Sequence, residues 1–155
     1  MKIDFVTSNK HKIKLANEIF AKYNIKTKRV NFDFLEIQEV NGEEVALYKA
    51  RQLLSITKKP FIIEDTSFHL EALKGFPGAL FKYVFQFLGY KYIFKMMDKV
   101  LNRRAYFKGV VIYGNPQTRE MRSFVGIVNG TLSNSRRGNN KRGAIANEIF
   151  IPNGF

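Results

Sequence analysis

The spacing of apolar residues along the chain changes between two periods, and each change marks a predicted element. Residues 2–7 alternate polar and apolar side chains as a strand does, whereas from Lys12 onward apolar residues recur at helical spacing. Alternating or continuously apolar runs predict five further strands, at 26–35, 61–65, 105–114, 121–133 and 148–152. Helical spacing predicts four further helices, at 43–56, 67–74, 79–88 and 91–101.

The order of these elements is βαβαβ, followed by helices and then by β-hairpins. That order predicts an α/β fold in which a mixed, twisted sheet is flanked by helices. We find no linker, repeat or low-complexity tract, so a single domain over residues 1–155 is expected. No apolar run approaches the roughly 20 residues of a membrane-spanning helix, so no membrane span is expected.

Charge and cysteine content narrow the classes of function. The chain has a formal net charge of +13, and residues 78–155 hold 13 Lys and Arg against 3 Asp and Glu. This excess favours a polyanionic partner such as a nucleotide or nucleic acid, or else reflects a lysine-rich solvated surface. The sequence has no cysteine, which excludes disulfides, thiolate metal sites and a Cys nucleophile, and favours a cytoplasmic protein.

Three segments contain candidate chemistry, and the first is TSNKHK at residues 7–12. It lies between a predicted strand and a predicted helix, where backbone N–H groups and nearby cations suit a phosphate. Ser8 or Asn9 is predicted to cap the helix, and Lys12 supplies a cation. The segment is not a P-loop, because it lacks the glycines of that motif. The alternative to a phosphate site is an ordinary capped helix with solvated lysines.

The second segment is Glu64-Asp65-Thr66, directly after the apolar run FII. Open α/β sheets bind ligands beyond the carboxyl ends of their strands, and buried carboxylates there need a compensating cation such as Mg²⁺. Adjacent strand residues point to opposite faces, so one of the two carboxylates is expected to face the ligand. The alternative is that Asp65 or Thr66 caps the helix predicted at 67–74.

The third segment pairs Glu36, in an acidic loop, with Lys49 on the following predicted helix. Glu36 would add a carboxylate to a magnesium site, and Lys49 could hold a phosphate group. The alternative is that both residues are ordinary surface charges.

Together these segments resemble the Ham1/inosine triphosphate pyrophosphatase family of non-canonical purine nucleoside triphosphate pyrophosphatases. The motifs that carry the resemblance are TSNKHK, LEIQ, Lys49-Ala50, EDTS, GFPG and the late IFIP. The resemblance implies a mixed sheet in two lobes around a cleft, usually in a homodimer. It also implies Mg²⁺-dependent hydrolysis of ITP, dITP and XTP to the monophosphate and pyrophosphate.

The resemblance further implies roles for individual residues. Glu36 and Asp65 would bind the metal ion, and Asp65 would also activate the attacking water. The residues implied to bind substrate are Ser8, Asn9, Lys12 and Lys49 at the triphosphate, Thr66 at a phosphate, and Asn147, which stands where the family has an aspartate.

The sequence departs from the family pattern at several positions. Ser67 replaces a glycine, and GAIANEIF at residues 143–150 stands where the family has G-F-G-Y-D-P-I-F. In that segment Ala144 takes the place of an aromatic residue that would stack on the base, and Ala146 replaces a tyrosine. The family's base-reading Ser-His-Arg segment does not follow in this sequence. These departures imply relaxed or altered base specificity.

The departures also support two alternatives to an active pyrophosphatase. One is a catalytically degenerate homologue that binds nucleotides or nucleic acid through its basic C-terminal half, including a loop at 135–142. The cations of that loop are Arg136, Arg137, Lys141 and Arg142. The other alternative is a structural subunit that depends on a partner.

Overall fold

Seven strands form one mixed sheet in the computed structural model, which describes residues 2–137 and 146–155. The strands are β1 (Lys2–Val6), β2 (Lys26–Val30), β3 (Phe61–Leu70), β4 (Pro77–Gly78), β5 (Arg104–Asn115), β6 (Glu120–Leu132) and β7 (Phe150–Pro152). The helices are α1 (Lys10–Ala21), α2 (Gly42–Ile56) and α3 (Phe81–Met96), with a 3-10 turn at Glu71–Leu73. Among the described residues, no helix has the length and apolar character that a membrane span requires.

The strand order is β2-β1-β3-β5-β6-β7, with β4 paired to β3 outside this path. β1 pairs in parallel with both β2 and β3, and each of these parallel connections contains a helix. β3 pairs antiparallel with β4, and β6 pairs antiparallel with β7. The predicted α/β class with a mixed sheet and flanking helices is therefore confirmed.

The chain divides into two compact units, as the resemblance to a two-lobed fold implies. Unit 1 comprises Met1–Gln38, Glu43–Asp65 and Val110–Val125, and unit 2 comprises Glu39–Gly42, Thr66–Gly109 and Gly126–Phe155. β3, β5 and β6 each contribute residues to both units. The expectation of one domain over residues 1–155 stays a prediction, because compactness does not measure independent folding.

Unit 1 is built as a sheet with a helix packed on each face. Strand residues alternate between the two faces, so neighbours in sequence enter different apolar clusters. The cluster on the α1 face contains Ile3, Phe5 and Ile62, packed against Ile13, Ala16 and Phe20. The cluster on the α2 face contains Val6, Phe61 and Ile63, packed with Ala46, Ala50 and Leu53. Burial of these side chains, at roughly 25 cal/mol per Å² of apolar surface, holds both helices to the sheet.

Unit 2 has a core rich in aromatic rings. Phe68 contacts three other rings, with its ring centroid 4.8 Å from that of Phe107 and 6.0 Å from those of Phe85 and Phe150. α3 contributes Phe85 and is interrupted at Gly89, which has φ 69° and ψ 175°. Since that conformation is not helical, α3 consists of two helical stretches, as predicted. The second stretch ends at Met96, whereas the prediction extended it to residue 101.

The structure corrects the prediction of a short strand at 61–65 followed by a helix at 67–74. β3 continues to Leu70, and Phe68 and Leu70 are fully buried at the strand period of two. Pro77 and Gly78 of the GFPG segment, predicted as a turn, pair with this extension as β4. The predicted helix is therefore wrong, and so is the alternative in which Asp65 or Thr66 caps it.

Two other predicted strands are shorter than expected. β2 ends at Val30, because Phe32 and Phe34 leave the ladder and pack against the core of unit 1 from an irregular segment. The last strand begins at Phe150, since residues 146–149 form a turn closed by the bond from the Ile149 N–H to the Ala146 carbonyl.

Candidate active site

Glu64 and Asp65 lie side by side in β3 and point to opposite faces of the sheet of unit 1. The last parallel pair between β1 and β3 is Val6 with Ile63, so both carboxylates lie past the carboxyl end of β1. Ile62 faces α1 and Ile63 faces α2, and continuing the alternation directs Glu64 toward α1 and Asp65 toward α2. The sequence prediction that the two carboxylates separate onto different faces is confirmed.

Asp65 meets two other predicted site residues, Glu36 and Lys49. The ammonium nitrogen of Lys49 lies 2.8 Å from Oδ2 of Asp65 and 2.7 Å from Oε1 of Glu36. We call these three residues the carboxylate–lysine cluster. The cluster joins the loop before α2, α2 itself and β3, all within unit 1. The alternative of an ordinary surface charge is therefore wrong for Lys49, which is 14% exposed, whereas Glu36 is an exposed residue that joins the cluster through Lys49.

Lys49 lies on the buried stripe of α2. Val45, Ala46, Ala50 and Leu53 are buried at helical spacing around it, and 14% of the Lys49 side chain is exposed. Its ammonium group also lies 5.9 Å from the centre of the Phe34 ring, within range of a cation–π contact. The sequence itself contains this pattern, a lysine at an apolar position of a helical stripe, and it could have indicated that Lys49 is partly buried.

Opposing effects act on the ionisation of Lys49. Burial on its own lowers the pKa of the ammonium group, because the charged form loses hydration. The charges and hydrogen bonds of Asp65, and then those of Glu36, outweigh burial and raise the pKa of Lys49 above its usual value. Lys49 is therefore a cation at neutral pH, held between two carboxylates.

Gln52 positions Glu36, and this role was not anticipated from the sequence. Its side-chain amide donates to the Leu35 carbonyl at 2.8 Å, and its oxygen accepts from the Leu35 N–H at 3.1 Å. Both backbone groups of the residue before Glu36 are thus bound to α2. Gln52 follows Lys49 by three residues and so lies on the same side of the helix, which is the signal that could have revealed it.

The TSNKHK segment forms the start of α1. Asn9 caps the helix, because its Oδ1 accepts from the His11 N–H at 2.8 Å, while Ser8 is exposed. Lys12 lies in the first turn of the helix, and its ammonium nitrogen is 2.7 Å from Oε2 of Glu64. The structure therefore joins Lys12 to Glu64 and Lys49 to Asp65, on consecutive residues of β3.

Two of the predicted substrate-binding residues, Thr66 and Asn147, belong to unit 2. Thr66 follows Asp65 in β3 and is half-buried. Asn147 is exposed, between Ala146 and Glu148, which are both buried. Ala144 lies outside the described residues. The substrate-binding roles of all these residues stay predictions.

One arginine of the basic loop at 135–142 forms an ion pair within the protein. The Arg136 guanidinium donates to both carboxylate oxygens of Glu148, with Nη2 at 3.1 Å from Oε1, and it lies 5.1 Å from the Tyr90 ring centre. The Arg137 N–H donates to the Glu148 carbonyl at 2.7 Å. Arg136 therefore holds a buried carboxylate, while Lys141 and Arg142 lie outside the described residues.

The carboxylate–lysine cluster has donors of the kind that suit Mg²⁺. Oxygens of Glu36 and Asp65 converge, since each lies within 2.8 Å of one nitrogen atom. The described residues contain no group of three or more His, Asp and Glu side chains able to hold a metal ion. Mg²⁺ commonly takes only one or two protein carboxylates and completes its shell with water and substrate phosphates. Two converging carboxylates therefore fit this ion.

Sequence comparison assigns this chain to a known family. A sequence model of the Ham1 family matches residues 3–155. The chain belongs to the Ham1 family. It is 37% identical over 155 residues to the dITP/XTP pyrophosphatase of Thermococcus kodakarensis, covering all of this chain and 82% of that protein. It is 38% identical to the dITP/XTP pyrophosphatase of Methanopyrus kandleri, covering 99% of this chain and 80% of that protein.

Solved structures show that this Ham1 chain has the family fold. A Mycobacterium abscessus protein named nucleoside-triphosphatase / dITP/XTP pyrophosphatase superimposes with a TM-score of 0.81 at 19% identity, over 100% of this chain and 85% of that chain. The Staphylococcus aureus Ham1 protein superimposes with a TM-score of 0.77 at 23% identity, over 97% of this chain and 80% of that chain. The resemblance inferred from the motifs is therefore confirmed for both family and fold.

Proposed function

We propose that this protein hydrolyses non-canonical purine nucleoside triphosphates, such as dITP, XTP and ITP, to the nucleoside monophosphate and pyrophosphate in a Mg²⁺-dependent reaction. One observation carries the proposal: Glu36, Lys49 and Asp65 converge in a Ham1 chain whose relatives of 37–38% identity are named dITP/XTP pyrophosphatases. A cytoplasmic location is part of the proposal and is supported by the absence of cysteine. Cell fractionation measures that location.

In this reaction a water oxygen attacks the α-phosphorus, and the bond between the α-phosphorus and the bridging oxygen breaks, so that pyrophosphate leaves. Asp65 is the candidate to orient that water and to take its proton. Lys12 and Lys49 are candidates to pair with phosphate oxygens, where negative charge develops. A bound Mg²⁺ would add charge neutralisation, and Glu36 and Asp65 are the candidates to hold it.

The test is pyrophosphate release from dITP, XTP, ITP, dGTP and ATP by the purified chain. Wild type is expected to release pyrophosphate from the non-canonical nucleotides with Mg²⁺ and not after chelation by EDTA. We expect Asp65→Asn to lower kcat by at least about 10³-fold, because the variant loses a metal ligand and the water's base together.

Asp98→Asn is the matched control, since it removes one exposed carboxylate from unit 2 by the same substitution. Wild-type activity in this control with loss in Asp65→Asn supports the proposal. Intact nucleotide after prolonged incubation with stoichiometric protein and Mg²⁺ would contradict it. Turnover that persists in EDTA would contradict the metal dependence in this proposal. Equal turnover of dGTP and dITP would show relaxed base specificity.

We also propose that the protein is a homodimer. The observation that supports this is β6, which exposes Phe124, Val125, Ile127 and Val128. In the described part of the chain, β7 pairs with β6 only at Gly130–Leu132, so most of the outer edge of β6 is open to a partner strand. Sedimentation velocity measures the mass, and a monomer at micromolar concentration would contradict the proposal.

Nucleic-acid binding by the basic C-terminal half remains the second candidate function. The formal charge of +13 supports it, whereas the engagement of Arg136 by Glu148 removes one of the cations on which it was based. Affinity for single- and double-stranded DNA and RNA is expected to fall steeply with salt if this function exists. Absence of binding at low ionic strength would exclude it.

A further inference from the structure

We propose that Lys49 is the resident cation of the Glu36 and Asp65 carboxylates, and that a divalent metal ion binds these carboxylates by displacing the Lys49 ammonium group. The inference rests on the proposed function, in which the same two carboxylates hold the metal. It adds a step to that function: an ion exchange inside the carboxylate–lysine cluster.

The positions of three atoms support the exchange. The Lys49 nitrogen lies 2.7 Å from Oε1 of Glu36 and 2.8 Å from Oδ2 of Asp65, so the ammonium group fills the point where the carboxylates converge. Mg²⁺ bound to such oxygens lies about 2.0–2.1 Å from each of them. The metal and the ammonium would then share the same two oxygens at close range, where like charges repel strongly.

Lys49 is the member of the cluster that is free to move. Its ammonium group is at the end of a flexible four-carbon chain, whereas Asp65 is fixed in β3 and the loop of Glu36 is tied to α2 through Gln52. Once displaced, the ammonium group is a mobile cation anchored on α2. It can then pair with a phosphate oxygen of the nucleotide that arrives with the metal.

Lys12 does not take part in this exchange. Its ammonium group pairs with Glu64, which points to the other face of β3 from Asp65. The inference therefore assigns different behaviour to two lysines that the sequence presents alike.

The first test measures Mn²⁺ affinity without nucleotide, by electron paramagnetic resonance, in wild type, Lys49→Met and Arg51→Met. Both variants remove one cation from α2, but Arg51 is exposed and only Lys49 lies between the carboxylates. We expect Lys49→Met to bind Mn²⁺ about tenfold more tightly than wild type, and Arg51→Met to change affinity less than about twofold. Asp65→Asn should abolish the tight binding, which assigns it to this cluster.

Equal Mn²⁺ affinity in Lys49→Met and Arg51→Met would overturn the inference. Absence of Mn²⁺ binding in both wild type and Lys49→Met would also overturn it. Circular dichroism shows whether Lys49→Met is folded.

A second measurement needs no variant. In the metal-free protein Lys49 is 14% exposed and ion-paired, so acetic anhydride should acetylate it slowly compared with the exposed Lys58 and Lys59. Saturating Mn²⁺ is expected to raise the acetylation rate of Lys49 at least about fivefold, as followed by mass spectrometry, because displacement exposes its amine. An unchanged Lys49 rate in protein that has bound Mn²⁺ would overturn the inference even if Lys49→Met fails to fold.

The inference and the proposed function can fail separately. A protein that hydrolyses dITP with Mg²⁺ but shows neither the affinity change nor the labelling change retains the function and loses the exchange. A protein that shows both changes but leaves dITP intact retains the exchange and loses the function.

Discussion

Each of the two units contains a cationic side chain that is ion-paired with carboxylates, but the number of carboxylates for each cation differs. In unit 1, one ammonium group, that of Lys49, contacts two carboxylates, those of Glu36 and Asp65. In unit 2, one guanidinium group, that of Arg136, makes a two-oxygen contact with one carboxylate, that of Glu148. The first group has one negative charge in excess, whereas the second is balanced.

This difference distinguishes the proposed metal-binding site from a structural ion pair. A balanced, bidentate pair has no excess charge to attract a further cation, and Glu148 is 5% exposed and paired with Arg136. The unbalanced group has a net negative charge, and half of the Glu36 side chain is exposed, which is what the proposed binding of a further cation requires. The excess of carboxylate, more than the presence of charge, therefore marks the carboxylate–lysine cluster as the candidate site.

The largest effect is expected from removing that excess. Glu36→Gln leaves one ammonium and one carboxylate, which converts the cluster to the balance found in unit 2. We expect Mn²⁺ affinity to fall by about 10- to 100-fold, because one anionic oxygen ligand is lost, while the melting temperature changes little since Glu36 is half exposed. Titration with Mn²⁺ and thermal denaturation measure the two quantities.

Glu39→Gln controls for the loss of one acidic charge from the same stretch of chain, because Oε1 of Glu39 accepts from the neighbouring N–H groups of Val40 and Asn41. If Glu39→Gln weakens Mn²⁺ binding as much as Glu36→Gln does, charge excess in the cluster is not the cause.

The opposite pattern is expected for Arg136→Met. This change leaves the Glu148 carboxylate buried without its guanidinium partner, so the melting temperature should fall by roughly 5–10 °C. Mn²⁺ affinity should stay at the wild-type value, since no residue of the cluster is touched. Arg137→Met is the matched control, because Arg137 contacts Glu148 through its backbone N–H, which the substitution keeps. Equal melting temperatures in the two variants would show that the pair is not structural.

The sequence predicted the order of strands and helices in unit 1, because the signals there are local. The strand–turn–helix pattern around Asn9 follows from period and capping. The burial of Lys49 was not predicted, because the sequence reading treated it as a phosphate ligand or a surface charge. By contrast, Phe68 and Leu70 fit both a strand and a helix, and only their burial in unit 2 extends β3 past Asp65.

The balance of charge in each group was not accessible from the sequence. Arg136 and Glu148 are twelve residues apart with no periodic relation, so their bond appears only when the fold closes. Glu36 and Asp65 likewise come together through tertiary contacts to one lysine. Residue types predict which chemistry is available, whereas the number of carboxylates around each cation depends on packing.

The smallest effect concerns a third buried polar group, which extends the comparison to an uncharged case. His69 is buried, with Nδ1 donating to the Gly75 carbonyl at 3.0 Å and Nε2 lying 2.8 Å from the Ser67 hydroxyl oxygen. Burial lowers the pKa of His69 below its usual 6.5, and the nearby Lys108 charge adds to this, against the opposing effect of the Gly75 carbonyl. The imidazole is therefore neutral in the folded protein at neutral pH.

Because the folded-state pKa is lowered, the unfolded chain takes up this proton first as the pH falls. The stabilising contribution of neutral His69 is thus complete above pH 6.5 and is lost progressively below it. Between pH 7.5 and pH 5.5 we expect the melting temperature of wild type to fall about 2–4 °C more than that of His69→Gln. His11→Gln, which changes the exposed histidine of the TSNKHK segment, should keep the wild-type dependence. If His11→Gln removes the pH dependence of the melting temperature and His69→Gln keeps it, the buried imidazole is not the source of that dependence. The polar interior of unit 2 would then be insensitive to pH in this range.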